Sequence, residues 1–116
     1  MHRVNDIIFD VNFEEFDQQV IAASKQRPIL VDLWADWCPP CVVITPVLEK
    51  LVSERGGEIA LAKIEVDEGL NMKIAGRYQA RGFPTILLFF QGELKGRFHG
   101  AKSQSFIEQF IDESLS

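Results

Sequence analysis

The sequence contains two cysteines, Cys38 and Cys41, and they are the residues best suited to covalent chemistry. With two residues between them, they can close a small disulfide ring and reopen it to a dithiol. Exchange is carried out by the thiolate, so the thiol that ionises near neutral pH is the nucleophile. Residues 29–35 run almost continuously apolar up to the pair, as in a central strand covered on both faces. Beyond the pair, Ile44, Leu48 and Leu51 recur at helical spacing. Strand, cysteines, helix is therefore the expected order. At a helix start, the dipole and the unpaired N–H groups lower a thiol's pKa. Cys38, ahead of the helix, is expected to be exposed and to attack a substrate disulfide. Cys41, one turn in, is expected to be more buried and to resolve the mixed disulfide.

Other chemistry fits poorly. A secreted disulfide scaffold of this size would carry more, widely spaced cysteines. Structural zinc needs four ligands, and His2 and His99 are far from the pair in sequence, so no metal is expected. A metal shared between two chains is the alternative. The net charge of −5 lacks the basic footprint of a nucleic-acid binder, and there is no polybasic run for an anionic membrane. The apolar run Ile7-Ile8-Phe9 is too short for a secretory signal or a membrane span. If Met1 is the native start, a cytoplasmic location is expected. The 116 residues fit a single domain, 1–116, able to bury its own core.

The elements that must position the cysteines can be read in order. Residues 6–9 suit a short first strand. Asn12 with Glu15 forms a capping-box pattern ahead of a helix carrying Phe13, Phe16 and Val20 on one face, and Gln26-Arg27-Pro28 ends it. Pro46 should kink the helix that follows the cysteines, and Gly56-Gly57 should stop it. Residues 59–66 make another strand, and Leu70, Ile74 and Tyr78 mark a shorter helix. Residues 85–90, the turn Gln91-Gly92 and residues 94–99 read as an antiparallel hairpin. Ser103 opens a last helix with Phe106, Ile107, Phe110, Ile111 and Leu115 inward. Phe9, Phe89 and Phe90 are likewise read as core. A parallel half feeding an antiparallel half implies an α/β fold with a mixed sheet and helices on both faces.

Against that order, the run from Val31 through Trp37-Cys38-Pro39-Pro40-Cys41 resembles the thioredoxin active-site signature. Thr45-Pro46, Ala62-Lys63 with Val66-Asp67, Gly82-Phe83-Pro84-Thr85 and Gly100-Ala101 match the family in order and spacing. The resemblance implies the thioredoxin fold, a central mixed sheet of about five strands flanked by about four helices. It also implies a thiol–disulfide oxidoreductase with no cofactor beyond the Cys38–Cys41 disulfide. Its partners would be protein disulfide substrates and an electron donor of the thioredoxin-reductase type, and it would act as a monomer without nucleic acid or membrane.

Asp32 interrupts its strand on the face shared by Leu30 and Trp34, where a carboxylate should be poorly hydrated and its pKa raised. It could simply be a hydrogen-bonded core residue; the resemblance implies a proton relay to Cys41. Lys63 by pattern is a solvated strand residue, and the resemblance makes it a tuner of Asp32. By the same resemblance Pro84 is cis and faces the cysteines, and the Phe83 backbone offers its N–H and C=O to an extended substrate segment. Trp37 would flank that groove as an apolar wall, with Trp34 in core packing. Pro39, Pro40, His99 and Gly100 complete the expected substrate-binding set.

The chain also departs from the family. Common thioredoxins have Gly-Pro between the cysteines. Pro39 has no N–H, removes a candidate donor to the Cys38 thiolate and stiffens the loop. Pro-Pro is similar to tryparedoxins and to some membrane-anchored cytochrome-maturation thioredoxins. Val42 and Val43 replace the basic residue often found after the second cysteine. His99 stands where an apolar groove residue is usual, either as a strand-end histidine or as a pH-sensitive groove contact. The hairpin and last helix look similar to the thioredoxin-like domain of bacterial redox chaperones. The main reading is a protein disulfide reductase; a redox-linked chaperone-type binding domain and a disulfide oxidase or isomerase are the alternatives.

Overall fold

The structure is a computed structural model describing residues 7–116, so residues 1–6, including His2 and the first residue of the expected opening strand, lie outside it. Five strands, β1 (Ile8–Asp10), β2 (Ile29–Trp34), β3 (Ala60–Glu65), β4 (Thr85–Phe90) and β5 (Glu93–His99), form one sheet in the order β1-β3-β2-β4-β5. β1 and β2 run parallel to β3, and β4 runs antiparallel to both β2 and β5. β2 is therefore central, and every residue in it except Trp34 is buried.

Strand alternation gives each sheet face its own core. Val31, Leu33, Ala62, Ile64, Leu87 and Phe89 pack with Phe16, Val20 and Ile74. Leu30, Leu61, Ile86 and Leu88 pack with residues of α1 (Pro39–Glu54) and α3 (Gln104–Leu115) on the other side. Asp32, in step with Leu30, faces this second layer.

Local chemistry accounts for most element ends. The Glu15 carboxylate accepts the Asn12 N–H at 3.1 Å, one half of the predicted capping box. Ser103 Oγ accepts the Phe106 N–H at 3.2 Å and caps α3. Gln91 and Gly92 both have positive φ, 57° and 79°, the geometry of a tight hairpin turn whose twist matches its strands. Buried Ser24 fastens that turn, accepting the Gly92 N–H at 2.9 Å while donating to the Ile21 carbonyl at 2.7 Å. α1 runs unbroken through Pro46.

Three expectations need correction. The first helix is not one regular α-helix. It winds as short segments, Phe13–Glu15, Asp17–Ala22 and Ala23–Lys25, with a π-helical centre. Phe16 and Val20 are buried all the same, because residues four apart share a face in either winding. Leu70 is exposed because α2 (Met72–Arg77) begins after it, and Asn71 is the buried residue there. Its side chain accepts the Phe13 N–H at 2.6 Å and donates to the Asn12 side chain and the Glu65 carbonyl. Phe106 is also exposed. Ile107 and Ile111 form the buried line of α3, and Phe106 meets Phe98 edge-on at 5.4 Å with the Lys102 ammonium over its ring. Phe9, Phe90 and Phe110 are half-buried, and Phe89 is fully buried.

α2 ends in a Schellman motif. The Ala80 N–H reaches the Ala75 carbonyl and the Gln79 N–H the Gly76 carbonyl, which forces Gln79 to φ 57°. Glycine adopts this conformation without a Cβ penalty, partly offset by its greater freedom in the unfolded chain. Gln79→Gly is expected to stabilise the protein by about 0.5–1 kcal/mol and to raise Tm by a few degrees in thermal unfolding.

Candidate active site

Cys38 and Cys41 are joined as a disulfide with their Cα atoms 5.3 Å apart, at the junction of β2 and α1. Cys38 is the N-cap residue of α1, with extended backbone, and its Sγ accepts the Cys41 N–H at 3.3 Å. Pro39 and Pro40 occupy the first two helical positions, where fixed φ suits the helix but neither residue has an N–H. Cys41 therefore supplies the first backbone N–H of the helix, and it is shared between the Cys38 carbonyl at 3.0 Å and Cys38 Sγ at 3.3 Å. On reduction, the bond to sulfur would be charge-assisted toward a Cys38 thiolate.

The expected exposure of Cys38 is corrected here: 4% of its surface is accessible, against 1% for Cys41. The cover comes from distant sequence. The Phe83 carbonyl lies 3.3 Å from Cys38 Sγ, and the Phe83 ring meets Trp37 edge-on at 6.2 Å. The Phe83–Pro84 bond is cis, and Pro84 is buried. Trp37 is 62% exposed, and its indole N–H donates to the Asp67 carboxylate at 2.6 Å. Val42 and Val43 are exposed next to the pair, and Trp34 packs against the core cluster holding both cysteines.

Asp32 is fully buried. One carboxylate oxygen accepts the Thr45 hydroxyl at 2.7 Å, and the other has no partner among the described residues. Burial pushes its pKa from 3.8 up to about 6, against the lowering pulls of the Thr45 hydrogen bond and the Lys63 charge. Lys63 sits opposite Asp32 in the β2–β3 register, but its ammonium bonds Glu49 at 2.8 Å. That bond raises the lysine's pKa, and the Glu49 charge pushes Asp32 further up.

Thr45, Glu49 and Asp67 were not anticipated as parts of the site. For the first two there was a signal. Cys41, Thr45 and Glu49 are spaced by four, one stripe along α1. The Trp37–Asp67 bond has no local signature. Thr45→Val removes the hydrogen bond to Asp32 at nearly constant volume. It is expected to raise the Asp32 titration midpoint by about one pH unit, read from its side-chain carboxyl carbon by NMR, and Thr45→Ser should restore it.

The remaining candidates divide. The Gly100 N–H is taken by the Pro84 carbonyl at 3.0 Å, so Gly100 braces the cis-proline loop. Pro39 and Pro40 are exposed beside the disulfide. His99 pairs with Thr85 across β4–β5 and lines a cleft with Arg81 and Arg97. Among the described residues, no group of three or more His, Cys, Asp or Glu is placed to hold a metal. No described helix is long and apolar enough to cross a membrane.

A disulfide at a helix N-terminus, facing a cis-proline loop, defines a thiol–disulfide oxidoreductase. The thioredoxin family model matches residues 7–113. The chain is 38% identical to a thioredoxin of Acidithiobacillus ferridurans over 112 residues, 97% of this chain and 100% of the relative. It is 37% identical to a thioredoxin of Mycolicibacterium smegmatis over 105 residues, covering 90% of this chain and 92% of that one. An M-type chloroplastic thioredoxin of Spinacia oleracea is 38% identical over 107 residues, 92% of this chain and 57% of its own length. The chain belongs to the thioredoxin family.

Proposed function

We propose that this chain is a protein disulfide reductase in which Cys38 is the nucleophile and Cys41 the resolving thiol. The observation that carries this reading is the placement of Cys38 sulfur at the α1 N-terminus, within hydrogen-bond reach of the Cys41 N–H. The Cys38 thiolate attacks the substrate disulfide, forms a mixed disulfide and expels one substrate thiolate. Asp32, half-ionised near pH 6, takes the Cys41 proton. The Cys41 thiolate then attacks Cys38 sulfur, closes the intramolecular disulfide and releases the second substrate thiol. Two electrons pass to the substrate in each cycle, and the disulfide is the only redox group required.

Lys63 tunes Asp32 by its charge and is itself held by Glu49. Trp37, Pro39, Pro40, Phe83 and Pro84 form the substrate groove, Gly100 holds its proline loop, and His99 lies at its margin. The chain acts as a single domain, 1–116, and as a monomer in the cytoplasm. It takes electrons from a thioredoxin-reductase-type donor and contributes to cell redox homeostasis. The test is its reduction potential, measured against glutathione or dithiothreitol, together with insulin reduction. A value below about −230 mV supports the reductase reading, and a value near about −120 mV would make the protein an oxidase.

A further inference from the structure

Beside the cis-proline loop lies a cleft of about 460 Å³, whose lining includes Arg81, Gly82, Thr85, Arg97, Phe98 and His99. None of these is acidic, although the chain as a whole carries a net charge of −5. The cleft is a local reversal of charge, and two features of the fold build it. The Schellman turn at Gln79 directs the chain from α2 into Arg81-Gly82-Phe83-Pro84, which puts Arg81 two residues before Phe83. On β5, Arg97 and His99 are two apart and so share a face, with His99 opposite Thr85. The Arg97 guanidinium donates to the Tyr78 carbonyl at 2.5 Å, which ties it back toward the end of α2. The Thr85 hydroxyl is occupied by the Gly82 carbonyl at 2.5 Å, which holds the loop that forms one wall.

We propose that this cleft is a specificity subsite for acidic side chains of the protein substrate. It favours disulfides flanked within a few residues by Asp or Glu. The proposal rests on the reductase reading, because its position is defined by Phe83 and Pro84 in the substrate groove. A substrate strand held at Phe83 carries its neighbouring side chains past the mouth of the cleft. There Arg81 and Arg97 meet carboxylates, while a cationic neighbour is repelled. The pairs are solvent-accessible, so the effect is a preference that weakens with salt.

The test uses three disulfide-bridged peptides of equal length whose flanking residues are Glu, Gln or Lys. They are reduced by the dithiol form of the full chain in low and in high salt. The Glu peptide is expected to exceed the Gln peptide in kcat/KM by about fivefold at low salt, the scale of one or two exposed charge pairs, and the Lys peptide is expected to be slowest. At high salt the three should converge. Arg81→Gln with Arg97→Gln should bring the Glu-to-Gln ratio to one. Arg81→Lys with Arg97→Lys keeps both charges and should preserve it, which separates lost recognition from a damaged fold. Equal rates for all peptides with the unmodified protein, or a preference that survives the double Gln change, would overturn the subsite.

A second arm does not depend on the chemistry. The same peptides with Ser in place of Cys are titrated onto the oxidised protein, and the amide signals of Gly82, Thr85 and Phe98 are followed by NMR. Selective shifts with the Glu peptide support the cleft, and equal shifts with all three reject it. Failure to reduce any peptide, accompanied by selective shifts, would defeat the reductase reading and leave the subsite standing.

Discussion

Cys38→Ser is expected to reduce the rate of insulin reduction to that of dithiothreitol alone, whereas Cys41→Ser is expected to trap substrate. The asymmetry follows from position. Cys38 caps α1 and receives the Cys41 N–H, so its negative charge is stabilised at the helix start. A hydroxyl there does not form the required thiolate, and no mixed disulfide can begin. In Cys41→Ser the attack still occurs, but nothing inside the protein can displace the substrate from Cys38. A covalent one-to-one adduct should accumulate, visible by mass spectrometry as the summed masses and released by dithiothreitol. Turnover by Cys38→Ser, or trapping by Cys38→Ser in place of Cys41→Ser, would reverse the assigned roles. Burial agrees with the assignment in order, since Cys41 is the deeper sulfur, although both are largely covered in the disulfide.

Asp32 is expected to make the oxidised protein less stable as pH rises from about 4 to 6. Its carboxyl ionises at 3.8 in an exposed setting and at about 6 when buried. In that window the folded chain keeps a proton that the unfolded chain has lost, so raising the pH favours unfolding. Below the window both states are protonated, and above it the full cost is present and constant. The difference between the two pKa values corresponds to about 3 kcal/mol. Urea denaturation of the oxidised protein and of Asp32→Asn at pH 4 and pH 7.5 isolates this contribution. The stability of the unsubstituted protein minus that of Asp32→Asn should fall by about 2.5 kcal/mol between the two pH values, because the unfolded carboxyl is already partly ionised at pH 4. Parallel behaviour would show that Asp32 ionises normally. The same substitution should slow closure of the Cys38–Cys41 disulfide at pH 7 by about tenfold or more, because it removes the proton acceptor proposed for Cys41. A stability effect without that kinetic effect would make Asp32 a core residue only.

A carboxyl destabilised by burial to this extent is a candidate for a chemical role, which the kinetic arm of that experiment decides. Thr45 moderates the cost of burial with one hydrogen bond. Glu49 and Lys63 act in opposite directions from the edge of the site, where both are partly exposed and screened by solvent.

Features that arise from local rules were legible in the order of residues. Ring closure across two residues depends only on the spacing of Cys38 and Cys41. The buried run before them and the helical spacing of Ile44, Leu48 and Leu51 after them set strand, loop and helix around the pair. Alternation put Asp32 in step with Leu30, and desolvation then required a raised pKa. Ser103, Glu15 and Gln91-Gly92 act on backbone groups within a few residues, so their capping and turning were legible.

Tertiary structure decided what depends on contacts between distant segments. Cys38 is covered by Phe83, 45 residues away, and Trp37 is held by Asp67, 30 residues away. Asn71 is buried in place of Leu70 because its amide satisfies backbone and side-chain groups near Asn12 and Glu65 that no apolar residue could satisfy. Phe106 is left outside because α3 seats Ile107 and Ile111. Arg81, Arg97 and His99 are scattered in sequence, and the turn after α2 and the β4–β5 register bring them to one cleft. Covalent chemistry at Cys38 and Cys41 is a property of a short segment. What can approach that segment, and how the Asp32 carboxyl is tuned, are properties of the packed sheet, because they depend on which distant groups share one desolvated volume.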